Sequence, residues 1–100
     1  MLRPAGDTVI KSFRHKGLKA FWGKGSRKGL PDALARCVER MLDALDAATD
    51  PSQLNLPGFN LHQFKGARKG EWSMWASGNW RVTFRFAAGD AYDVNLEDYH

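Results

Sequence analysis

The chain is poor in the parts from which metal and cofactor sites are made. One of its 100 residues, Cys37, is cysteine, so no internal disulfide can form. A reducing, cytoplasmic setting is the expectation. No run of about 18 apolar residues occurs, so the sequence offers no membrane span. The opening segment, with Pro4 and Gly6, has no apolar core of the kind an export signal needs. CxxC, HExxH, P-loop and GxSxG patterns are all missing. Gly23 and Gly25 lie among Lys24, Ser26, Arg27 and Lys28 without the remaining spacing of a phosphate cradle. His15, Cys37, His62 and His100 fall on separate predicted elements, which speaks against four converging zinc ligands. The length excludes two autonomous lobes and leaves room for one modest core. We expect a flexible leader over 1–8 and a single domain over 9–100.

Acids are scarce at the start of the chain. Residues 1–30 hold eight basic side chains and one acid, Asp7, within a total of 15 basic and 11 acidic residues. A basic first third favours a polyanionic partner such as nucleic acid, although a merely solvated basic face has the same composition.

Periodicity outlines the elements. Residues 9–14 alternate weakly and read as a first strand, and 15–22 read as a short helix with Leu18, Phe21 and Trp22 on one side. Pro31 and Asp32 suit the first turn of a second helix. In it Leu34, Val38, Met41, Leu42 and Leu45 make one apolar stripe. The residue before Pro51 ends it. Cys37, at the stripe's edge, reads as a packed thiol. The period then changes to that of strands, over 59–65, 71–76, 79–86 and 91–96, with turns at Ser77-Gly78 and Gly89-Asp90. Trp72, Met74, Trp80, Val82, Phe84, Phe86, Tyr92, Val94 and Leu96 would form the face the helices cover. The order is β-α-α-β-β-β-β, an α+β fold with two helices on one face of a twisted, mainly antiparallel sheet. The opposite face, with Arg81, Thr83, Arg85, Asn95 and His62, stays polar.

That face carries the residues able to do chemistry. RNA holds its own nucleophile, the ribose 2′-hydroxyl, beside the phosphorus. Cleavage needs a base for that proton, an acid for the leaving 5′-oxygen, and cations for the phosphorane. Imidazoles titrate at about 6.5 and can serve as either partner. His62, His100, Asp98, Tyr99, Arg81 and Lys65 could supply such a set without a cofactor. The same residues could equally be a solvated strand face and a frayed terminus, or a surface that binds RNA and leaves it whole.

The segments IKSFRHKGLK (10–19), LHQFKGARKGEWSMW (61–75), NWRVTFRF (79–86), GDAY (89–92) and NLEDYH (95–100), in this order, resemble the HigB-like branch of the RelE/ParE toxin superfamily. The resemblance spans 10–100 and implies a RelE-like α+β RNase, the toxin of a type II toxin–antitoxin system. It implies cleavage of messenger RNA in the A site of the 70S ribosome, with no metal or other cofactor. By the same resemblance His62, Asp98, Tyr99 and His100 would be catalytic. Lys65, Arg68, Lys69 and Arg81 would hold RNA, and the basic stretch 11–28 would touch the ribosome. The implied partner is a helix-turn-helix antitoxin, with operator DNA reached only through it and no membrane involved. A non-enzymatic, ParE-like toxin that poisons gyrase is the alternative, and it would need no acid–base pair.

Overall fold

The computed structural model describes residues 9–98. The expected leader at 1–8 and two candidate residues, Tyr99 and His100, lie outside that range. The element order is α1 (Lys16–Lys24), α2 (Asp32–Ala47), a 3₁₀ turn (Pro51–Leu54), β1 (His62–Gln63), a second 3₁₀ turn (Gly66–Arg68), β2 (Glu71–Ser77), β3 (Trp80–Ala87) and β4 (Asp90–Asp98). The strands form an antiparallel sheet in the order β1-β2-β3-β4.

Helix α1 starts and stops for local reasons. His15 caps α1, its imidazole Nδ1 accepting the Leu18 N–H at 3.1 Å. Gly25, with φ 71, ends it in the left-handed conformation that glycine adopts without strain. The apolar stripe of α2 is buried as its spacing predicts, and the helix lies across β2 while α1 packs beside β4. Met74, Val82, Phe84, Val94 and Leu96 meet the helices from the sheet side. Each such side chain, once buried, contributes about 1.5–3 kcal/mol. Among the described residues no helix is long and apolar enough to cross a membrane.

The structure departs from the sequence reading in four places. Residues 9–14 are no regular strand. They touch β4 through two isolated parallel bridges, Ile10↔Ala91 and Phe13↔Val94. Side-chain bonds add to these: the Asp46 carboxylate accepts the Val9 N–H at 2.7 Å, and the Ser12 hydroxyl accepts the Asp93 N–H at 2.8 Å. β1 keeps only two residues of the expected 59–65, because Asn60 has φ 48 and leaves the extended region. Tyr92 does not join the core. A bulge at Asp93, φ 53, gives β4 one extra residue between the pairs Thr83↔Asn95 and Arg85↔Tyr92, which reverses the alternation. Ala91 is buried instead and Tyr92 is 36% exposed. Finally, the hairpin turns fall one residue from the expected positions, at Gly78-Asn79 for the first and Ala88-Gly89 for the second.

Candidate active site

Directly paired residues of neighbouring strands share a face, so the register maps the polar side of the sheet. One row runs His62, Ser73, Thr83, Asn95. A second runs Trp75, Arg81, Glu97, and a third Glu71, Arg85, Tyr92. The Phe64 N–H donates to the Glu71 carbonyl at 2.9 Å, continuing the β1–β2 pairing by one step into the third row. The helix-covered face carries Met74, Val82 and Leu96 in register.

The Arg68 guanidinium lies over this polar face. The 3₁₀ turn Gly66–Arg68 folds Arg68 back onto the sheet. Its Nε donates to Glu71 Oε2 at 3.1 Å and its Nη2 to Glu71 Oε1 at 2.9 Å. Its Nη1 and Nη2 donate to Glu97 Oε1 and Oε2 at 3.0 and 2.6 Å. The Thr83 hydroxyl donates to the same Glu97 Oε2 at 2.6 Å. The flat side of the guanidinium covers the Phe64 ring, with its carbon 4.3 Å from the centroid. This cover explains why three polar residues, Glu71, Ser73 and Thr83, are buried at 7%, 4% and 1% exposure. The hydrogen bonds from Arg68 hold the Glu71 and Glu97 carboxyls below the usual carboxylate range and keep the guanidinium firmly protonated. Arg85 adds a looser contact to Glu71 at 3.7 Å.

His62 is exposed at the rim, its ring edge-on to Phe64 with centroids 5.7 Å apart. Lys65 and Lys69 are exposed and line a shallow depression with Gln63, Phe64 and Gly66. Arg81 stands directly across from Trp75, whose indole N–H donates to the Gly78 carbonyl at 2.8 Å. Asp98 pairs with Trp80, one step beyond Glu97, so it belongs to the face opposite His62. Two strands, roughly 14 Å of sheet, separate β1 from β4. The described residues thus set Lys65 and Lys69 in a depression lined by Gln63, Phe64 and Gly66 but not by His62, place Arg81 on the His62 face, and leave Asp98 apart. No group of three or more His, Cys, Asp or Glu among the described residues is arranged to hold a metal ion.

Phe64, Glu71 and Glu97 escaped the sequence reading as site residues. Two signals were present. Glu71 follows Arg68 by three residues, and Glu97 alternates in step with Asn95 on the polar face.

Residues 11–100 match the family model described as the RelE-like toxin of the type II toxin–antitoxin system HigB. Over 92 residues, which are 92% of this chain and 100% of the relative, the sequence is 47% identical to the protein named Endoribonuclease HigB of Proteus vulgaris.

Proposed function

Because the chain belongs to the HigB-like family of RelE-like toxins of type II toxin–antitoxin systems, we propose that it arrests growth by cutting messenger RNA in the ribosomal A site. With 47% identity across all of a curated endoribonuclease, the chain is itself an endoribonuclease. A toxin of such a system has an antitoxin as its partner. We assign it a helix-turn-helix antitoxin that carries the operator contact, and a cytoplasmic site of action on the ribosome.

The step balances within the substrate. One imidazole of the pair His62 and His100 takes the 2′-hydroxyl proton, and the 2′-oxygen attacks phosphorus. The bond to the 5′-oxygen breaks, the other imidazole protonates that oxygen, and a 2′,3′-cyclic phosphate and a 5′-hydroxyl remain. Lys65, Lys69 and Arg81 neutralise the phosphorane. Asp98 orients a neighbouring group and Tyr99 positions the target nucleotide. His62 is the observation that carries this reading. It is an exposed imidazole at the rim of a polar face, followed in the chain by two exposed lysines, Lys65 and Lys69, that line a depression with Gln63 and Phe64.

Mapping 5′ ends of transcripts on programmed ribosomes tests it. The wild-type chain should give codon-registered cuts with a bell-shaped pH profile. His62→Ala, and a chain ending at Glu97, should each lose at least about 100-fold in single-turnover rate. Undiminished cutting by both folded variants overturns the assignment.

A further inference from the structure

We propose that Arg68 is a positioning residue that fixes the two halves of the active site relative to each other, an inference that rests on the site assigned above. The assigned groups sit on opposite edges of the sheet, His62 on β1 and Asp98 at the end of β4. On the His62 face the guanidinium spans the distance between those edges and reaches Glu97, while Asp98 itself belongs to the opposite face. On one side the guanidinium stacks on Phe64, whose ring meets the edge of His62. On the other it grips Glu97, the residue before Asp98, with two hydrogen bonds. Glu71 holds it from the middle of the sheet through two more, and Thr83 braces Glu97 from β3.

The geometry is specific to arginine. Its planar fork serves two carboxylates along two edges while its face covers a ring, and a lysine ammonium can do only one of these well. It also separates Arg68 from its lysine neighbours. Both edges that would grip a phosphate bidentately are occupied by carboxylates, so RNA would have to displace Glu71 or Glu97 to use them. That leaves Lys65 and Lys69, exposed in the depression lined by Gln63, Phe64 and Gly66, to carry the phosphate contacts of this loop.

The test compares Arg68→Met, Arg68→Lys, Glu97→Gln and the double variant Arg68→Met/Glu97→Gln with the wild-type chain. Each is assayed by single-turnover cleavage on programmed ribosomes, by ribosome affinity across a salt series, and by the ring-proton NMR signals of the histidines. The His62 signal is identified by its loss in His62→Ala. Arg68→Met should slow cleavage by about 10- to 100-fold, keep affinity within about twofold, leave the salt slope unchanged and move the His62 signal. Arg68→Lys should not restore the rate. The double variant should be no slower than Arg68→Met, because both changes break one contact. A weaker affinity with a salt slope reduced by about 0.7–0.9 would make Arg68 a phosphate ligand and overturn the proposal. An unmoved His62 signal with an unchanged rate, alongside a lower melting temperature, would make it a loop fastener and overturn it too. Should Arg68→Met fail to fold, Glu97→Gln carries the same expectations, since it preserves shape and the Thr83 partner. If His62→Ala cuts as fast as the wild type, the site assignment fails, and the NMR signal still reports separately whether Arg68 holds His62.

Discussion

Single side chains do their work here through protonation state and reach, and His15 shows the first. Its Nδ1 accepts the Leu18 N–H, which an unprotonated nitrogen alone can do. The ring fits closely against the helix start: a Cβ at Gly17 would come within 2.8 Å of His15 Cε1. Burial lowers the His15 pKa from its ordinary value of about 6.5. The folded chain therefore resists a proton that the unfolded chain accepts. The cap's contribution is complete above about pH 6.5 and is lost as pH falls through the lowered folded value. A proton would also set positive charge at the N-terminal end of α1, where the dipole opposes it. Asparagine caps without titrating in this range. In urea melts from pH 7.5 to 5, the wild type should lose about 0.5–2 kcal/mol relative to His15→Asn. Parallel profiles would remove this account of the cap. Other single residues were legible to different degrees. Arg81 and Thr83 reach the polar face by strand alternation, a regular rule readable from sequence. Arg68 sits in a 3₁₀ turn, where no period says which way a side chain points, so its two carboxylates were out of view.

Among the elements, α2 was fully legible because its stripe keeps the helical period for four turns without a competing signal. The meander was legible in its strands and not in its joints. One residue of bulge at Asp93 moves Tyr92 from core to surface, and a bulge leaves no mark in an alternation read from one strand alone. The β3–β4 joint makes a prediction. Its loop is Ala88-Gly89, with φ 52 and 83, so both central residues are left-handed as in a type I′ turn. Glycine adopts this without strain, and alanine does so at a cost of the order of 1 kcal/mol. Asparagine is the favoured first residue of such turns. Ala88→Asn should therefore raise the urea midpoint by an amount worth about 0.5–1 kcal/mol, with an unchanged m-value and unchanged ribosome affinity. A lower midpoint would show that the turn is set by something other than its two central residues.

At the scale of the molecule, the sheet separates two tasks. Its helix-covered face holds the chain together, and its polar face holds His62 and the Arg68 cover. The basic first third belongs to neither. Lys16, Lys19 and Lys24 line one side of α1 with Ala20 and Gly23 between them, and α1 packs beside β4, whereas His62 lies on β1 at the other edge of the sheet. Charge placed this far from His62 can attract a polyanion without touching the proton transfers proposed there. Each phosphate contact contributes about 0.7–0.9 to the slope of log affinity against log salt. A triple variant, Lys16→Gln/Lys19→Gln/Lys24→Gln, should therefore lose about two to three units of that slope for ribosome binding. Its cleavage rate once bound at saturation, and the positions of its cuts, should match the wild type. A wild-type salt slope in that variant would return these lysines to the solvent. A fall in the saturated rate would show instead that α1 reaches the reacting strand, and that binding and cutting share one surface.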